Sequence, residues 1–200
     1  MVSQPQPYTT PEDYLARERR AETRSEYHDG EIVAMAGASW EHNLISGATF
    51  RELATQLRRG PCQPIANDMR VWIPSHHVYT YPDIVVVCGE PEFQDSAVDT
   101  LLNPMLIVEV LSPSTAAPGQ DRQGQKFALY RSLPSLREYL LIAQDEPRLV
   151  LYRRDPDNRW FIGDAHGLDA TLDLATGGVT LALRDLYERI TFPEPVLPER

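Results

Sequence analysis

Two carboxylates sit where carboxylates are costly. Asp83 opens the apolar run Ile84-Val85-Val86-Val87, and Glu109 interrupts Leu106-Ile107-Val108-Glu109-Val110-Leu111. Near-continuous apolar runs of this length are strands buried on both faces. An ionised carboxylate there is strongly destabilising unless a cation or a metal ion offsets it. If the two strands are neighbours, side chains on one face converge, and two acids so placed suit Mg²⁺ or Mn²⁺, which bind through oxygen. The alternative without chemistry is that each acid pairs with an arginine across the sheet.

Lys126 adds to this pattern. It is the only lysine among 19 basic residues; the other positive side chains are arginine. Arginine stays charged and cannot act as a base. Lysine is a compact ammonium whose pKa responds to its surroundings, so it can orient or deprotonate a water. An exposed helix lysine without function is the plain alternative.

The elements that must position these residues follow from caps and turns. Thr10-Pro11-Glu12-Asp13 reads as a helix start, with the helix running to about Arg20. Arg24–Ala36 reads as a hairpin turning at His28-Asp29-Gly30. Ser39 caps a second helix over about 41–59, with Leu44, Ile45, Phe50, Leu53 and Leu57 as its buried stripe. Strands are expected at about 63–73, 81–88 and 104–111, broken by Ser112-Pro113-Ser114-Thr115. A polar loop at 118–124 leads into a helix at about 121–133, stopped by Pro134. Strands at 137–143, 148–154 and 159–162 follow, then a short helix at 183–190 and a loose proline-rich tail over 191–200. This order predicts one α/β (α+β) domain spanning 1–200, a mixed central β-sheet flanked by helices.

Composition sets the class. The chain has 200 residues, 42% hydrophobic and 24% charged, and carries no apolar stretch of membrane-spanning length. Its start, MVSQPQPYTT, has neither a basic region nor an apolar core. Cys62 and Cys88 read as buried free thiols in a reducing, cytoplasmic compartment. The net charge of −10 argues against tight non-specific binding to nucleic acid, and leaves room for a local basic surface and a carboxylate site.

The residues quoted form a wider pattern. Pro82-Asp83 followed by a strand glutamate at Glu109 resembles the PD-(D/E)xK nuclease core, except that the lysine's usual place, two residues after the glutamate, holds Leu111. Tyr81-Pro82-Asp83-Ile84, Leu106–Thr115, Lys126-Phe127-Ala128-Leu129-Tyr130 and Leu136-Arg137-Glu138-Tyr139 together resemble the Uma family of restriction endonucleases. In that branch of the superfamily the lysine has moved to the following helix. The likeness covers roughly residues 8–190, including Glu26–Val33 and Gly37–Asn43. It implies a restriction-endonuclease-like fold and hydrolysis of DNA or another nucleic acid. It also implies Asp83 and Glu109 as metal ligands and Lys126 as the catalytic lysine. Glu26 matches the acid on the first hairpin, near the metal. His42, at the start of the second helix, and Asp68 match accessory family positions. One departure stands out: the family's Asp-Arg-Gly-x-Lys run is one residue longer here, Asp121-Arg122-Gln123-Gly124-Gln125-Lys126.

Each has a duller reading. Glu26 could be a solvated turn residue, and His42 a capping or packing histidine. His76-His77 lacks zinc-site spacing and reads as a loop. Arg17, Arg19, Arg20 and Arg24 could touch phosphates or form a solvated face with Glu18 and Glu22. A two-fold homodimer is expected, using Trp40, Trp72, Trp160 and the loop 90–103. The competing functional class is a non-catalytic dimeric binding or regulatory module on the same fold.

Overall fold

The Thr10 hydroxyl accepts the Asp13 N–H at 3.1 Å and starts α1, Pro11–Glu18, with Pro11 where no donor is needed. The computed structural model describes residues 8–111 and 122–192. Strands β1 (Ser25–His28) and β2 (Glu31–Ala34) form the expected hairpin. Its two turn residues, Asp29 and Gly30, have φ of 42° and 101°, the positive values a tight hairpin turn requires. Ser39 caps α2, Trp40–Leu57, by accepting the His42 N–H.

The single strand expected over 63–73 is two strands in two different sheets, β3 (Cys62–Ala66) and β4 (Arg70–Ile73). Asn67 and Asp68 separate them, both with φ of 56°. Asn and Asp enter this left-handed region more readily than other side chains, and the break redirects the chain. The expected 81–88 strand is likewise shorter. Val78–Thr80 forms β5 in one sheet, Ile84–Cys88 forms β6 in the other, and Asp83 stands just before β6. The remaining elements are β7 (Thr100–Leu101), β8 (Leu106–Val110), α3 (Arg122–Tyr130), β9 (Glu138–Ile142), β10 (Arg148–Arg154) and β11 (Trp160–His166). Strands β12 (Thr171–Leu174) and β13 (Val179–Ala182) and a short α4 (Leu183–Leu186) follow. The breaks expected at 112–115 and from 118 to 121, and the tail beyond 192, lie outside the described residues.

The expected mixed sheet flanked by helices is present, with order β11-β10-β9-β8-β6-β3. A second sheet, β2-β1-β5-β4-β7, stands beside it. In the larger sheet β8 runs antiparallel to β6 and parallel to β9, so α3 is the crossover that parallel neighbours need. Alternation divides β8 between two cores. Leu106, Val108 and Val110 pack with Ile45, Leu53 and Leu57 of α2; Ile107 packs with Tyr130, Tyr139 and Val85 on the α3 side. A third cluster stacks Tyr14 on Tyr27 and Tyr79, at centroid distances of 5.2 and 5.1 Å.

The β12–β13 hairpin was not legible as strands. It is anchored by Glu138, a fully buried carboxylate that accepts the backbone N–H groups of Ala175 at 2.9 Å and Thr176 at 2.7 Å and the Arg153 guanidinium at 2.8 Å. Such a set is what allows a carboxylate into a core. Gly177, at φ 68° in the turn, lies where a Cβ would meet Leu57 of α2 at 2.1 Å.

Cys62 and Cys88 are not free thiols. They face each other directly in the β3–β6 register and are joined as a disulfide. Pairing across 26 residues depends on register, which cysteine count alone does not reveal. The cysteine argument for a cytoplasmic location therefore lapses; among the described residues, no helix is long and apolar enough to cross a membrane. The cross-link closes a 26-residue loop. Its removal in Cys62→Ser/Cys88→Ser is expected to destabilise the chain by about 3 kcal/mol. Thermal melts with and without reductant check this, and reductant should have no effect on the double variant.

Candidate active site

Register brings the two acids together. Ile84 is opposite Val108, so one step further along the ladder Asp83 meets Glu109. Both then share the sheet face of Ile107, Val85 and Val87, the face that α3 covers. Beyond the last β6–β8 pair, the Val110 N–H lacks a strand partner on that side, and Asp83 Oδ2 accepts it at 2.7 Å. Asp83 Oδ1 lies 2.9 Å from Nε2 of His42, which is held by the capped first turn of α2.

Glu109 is 8% exposed and receives its partners from α3. Lys126 Nζ lies 3.0 Å from each carboxylate oxygen, and the Tyr130 hydroxyl donates to Oε1 at 2.7 Å. Lys126 and Tyr130 are four residues apart, so one face of the crossover helix presents both. Glu26 on β1 brings Oε1 to 4.0 Å from the same ammonium, and accepts the Thr80 hydroxyl. His28 lies 3.3 Å from the other Glu26 oxygen. Lys126 thus bridges an acid from each of the two sheets.

The electrostatics follow from burial and charge. Burial pushes the Glu109 carboxyl above its ordinary range against the pull of Lys126, and the negative Asp83 adds to the push. Burial opposes the Lys126 charge, but Glu109 and Glu26 outweigh it and hold the group well above the usual lysine range. Lys126 is therefore an ammonium in this arrangement, suited to orienting a water or offsetting charge rather than to taking a proton. Glu26 is desolvated as well, yet His28, Lys126 and Thr80 together bring its pKa down to about 2. The hydrogen bond to Asp83 raises the pKa of His42.

Of the residues singled out in sequence, Asp83, Glu109, Lys126, Glu26 and His42 form one connected cluster. Neither Asp83 nor Glu109 pairs with an arginine in the contacts above. Asp68 is not brought to them: its side chain is 68% exposed and meets Arg24 at 3.8 Å. Arg19 of the basic run is taken by Asp95 and Asp99, at 2.7 and 2.8 Å. His76 and His77 end in a turn away from the cluster, with His77 against Asp29.

Several participants were missed. Tyr130 was seen only as part of the motif that follows Lys126, and Thr80 not at all; only the Lys126–Tyr130 spacing hints at a shared target. Gln144 gave no signal. It accepts the Ser39 hydroxyl at 2.8 Å and donates to the Leu111 carbonyl at 2.7 Å, tying the cap of α2 to the end of β8. Asp83 and Glu109 are the oxygen donors that could hold a hard cation. Among the described residues, no three His, Cys, Asp or Glu side chains form a ready cage.

Comparison with known proteins identifies the family and the fold. The Uma2 family model, described as "Putative restriction endonuclease", matches residues 11–184. The uncharacterized protein sll1609 of Synechocystis sp. is 39% identical over 166 residues, which is 83% of this chain and 92% of that protein. A second uncharacterized protein of the same organism, slr1290, is 36% identical over 190 residues, 95% of this chain and 97% of its own. A crystal structure described as a putative nuclease belonging to DUF820, from Anabaena variabilis, superimposes with a TM-score of 0.71 at 19% identity. It covers 90% of this chain and 98% of that one, a likeness of fold. With a family model that spans both strand acids and the helix lysine, the chain belongs to the Uma2 family, described as "Putative restriction endonuclease".

Proposed function

We propose that this protein is a metal-dependent endonuclease that hydrolyses phosphodiester bonds in DNA. The observation that carries the reading is the meeting of Asp83, Glu109, Glu26 and Lys126 at one point, in a chain of a nuclease family. The donor chemistry suits Mg²⁺ or Mn²⁺: hard oxygens from adjacent strands, one of them on Glu109, whose carboxyl is raised by burial and, to a smaller degree, by the neighbouring Asp83. Mg²⁺ is commonly held by one or two carboxylates with water and substrate phosphate completing the shell, so a larger protein cage is not required. Asp83 and Glu109 would hold it, with Glu26 beside them. When bound it would supply Lewis acidity and a more acidic water.

The chain's own groups divide the remaining work. His42 and the Val110 N–H fix both oxygens of Asp83. Tyr130 and Lys126 together hold Glu109, so the Tyr130 bond would keep that carboxylate in place if the ammonium turned toward an incoming phosphate. The Lys126 ammonium then orients the attacking water or offsets the charge that builds on the phosphoryl oxygens. Water adds to phosphorus, the bond to the leaving sugar oxygen breaks, and that oxygen takes up a proton. A closed two-fold homodimer would present two such sites to a duplex. Of the three tryptophans considered for its interface, Trp40 is 73% exposed, whereas Trp72 stacks on Tyr79 and Trp160 packs on Phe127.

Plasmid nicking by the pure protein with Mg²⁺ or Mn²⁺ is expected, abolished by chelator and by Glu109→Gln. Calorimetry should show weaker metal binding in Asp83→Asn, and equal binding would remove the ligand assignment. Nicking by no metal at all would favour a binding module on this fold. Lys126→Ala is expected to lose about 10²–10³-fold in rate, the loss typical of a removed charge-stabilising donor, with Lys126→Arg restoring part of it. Full activity in Lys126→Ala would show that the ammonium has no part in the reaction. Light scattering should report twice the chain mass, and a monomer at micromolar concentration would remove the dimer.

A further inference from the structure

At the C-terminal end of α3, three arginines gather. Arg131 follows the last turn of the helix, Arg137 immediately precedes β9, and Arg154 ends β10. Alternation along the strands puts Arg137 with Tyr139 and Leu141, and Arg154 with Val150 and Tyr152. That is the sheet face of Glu109. The neighbouring acids are engaged elsewhere. Asp155 is held by Arg159 at 2.7 Å, and Glu138 points to the other face, against Arg153.

Arg154 is fixed in place. Its guanidinium lies 4.8 Å over the Trp160 ring and donates to the carbonyls of Arg131 and Pro134, while its buried Nε has no hydrogen-bond partner. Arg131 lies 5.7 Å over Phe127. Burial lowers the pKa of Arg154, and the positive charges of Arg137 and Arg131 add to that shift, so the three feel one another. Among the described residues none of the three makes an ion pair with a carboxylate. In a chain of net charge −10, a cluster of like positive charge with no acid in it is an exception that an anion would relieve.

The spacing from the acid site is defined by the sheet. Glu109 is opposite Leu141 of β9, four residues along from Arg137. At ~3.3 Å per residue this is about 13 Å, or about four base-pair steps measured along a duplex axis. We propose that Arg131, Arg137 and Arg154 form a phosphate-binding patch that holds the nucleic-acid backbone on the flank of the Asp83–Glu109–Lys126 site. The identity of the anion as a nucleic-acid strand rests on the nuclease reading. Arg154 positions the patch, and the exposed heads of Arg131 and Arg137 meet the phosphates.

The test is fluorescence anisotropy of a labelled DNA duplex in chelator, where no strand is cut, over a series of salt concentrations. Arg131→Ala/Arg137→Ala is expected to weaken binding roughly tenfold or more and to reduce the log–log salt slope by about two. Arg58→Ala/Arg59→Ala, an equal charge change at exposed positions after α2, should leave the slope as in wild type. Arg137→Glu should weaken binding further than Arg137→Ala, with thermal melts confirming an intact fold. An unchanged slope in the first pair, an equal fall in both pairs, or a wild type that binds no duplex would each overturn the patch. Plasmid nicking run in parallel separates the two ideas. Nicking with an unchanged salt slope in the first pair sinks the patch and leaves the nuclease. Patch-dependent binding with no nicking under any metal supports the patch and sinks the hydrolysis.

Discussion

The buried carboxylate of Glu109 is the constraint around which the larger sheet and its crossover helix are organised. Removing an ionised acid from water costs several kcal/mol unless charge and hydrogen bonds replace what the solvent gave. Here the replacement comes from Lys126 and Tyr130, one turn apart on α3. That requirement fixes which face of α3 meets the sheet. The aromatic layer then holds the helix there: Phe127 packs on Tyr152 and Trp160, and Tyr130 on Tyr139. Because β8 and β9 are parallel, their connection must cross over the sheet, and α3, which packs on this face, lets the connection itself deliver the lysine. A lysine two positions along β8 would point to the same face, and Leu111 there leaves that place to the helix.

The other acids are delivered from different elements, and each comes with its own support. Asp83 is placed by the β6–β8 register and fixed by a backbone N–H and by His42. Glu26 arrives from the first hairpin in the second sheet, which also brings Thr80 on β5. Gln144 joins the cap of α2 to the end of β8, so the supports of Asp83 and Glu109 are not independent. The site therefore lies where the two sheets and both long helices approach one another. A displacement of any one of these elements would alter the distances around Lys126.

Charge is distributed to match. The acids of the site outnumber its lysine, and the whole chain is acidic, which by itself would repel a polyanion. Among the described residues, Arg131, Arg137 and Arg154 make no ion pair with a carboxylate and lie at one end of α3, while Arg19, Arg70 and Arg153 are consumed by internal pairs. An overall acidic balance is thus compatible with a local basic surface beside the carboxylates, because screening limits how far the distant acids act.

The sequence determined by itself the three acids, the lysine and His42 of the cluster, the caps and turns, and the family. Asp83 and Glu109 were conspicuous because apolar strands tolerate acids only with compensation, and Lys126 because it is the sole lysine. Thr10, Ser39 and the Asp29-Gly30 turn were legible because capping and hairpin chemistry are local. Tertiary structure decided everything that depends on register and on distant partners. The chain changes sheets at Asn67-Asp68, which a continuous apolar reading over 63–73 merges into a single strand, and the short β5 at Val78–Thr80, in the other sheet from β6, was not read at all. The β12–β13 hairpin holds to the sheet through Glu138, far away in sequence. Cys62 meets Cys88 only because β3 and β6 pair in that register. Tyr130, Thr80 and Gln144 look like ordinary core residues until their partners are in place, since a hydroxyl or amide reveals nothing of its target before the fold brings it within about 3 Å.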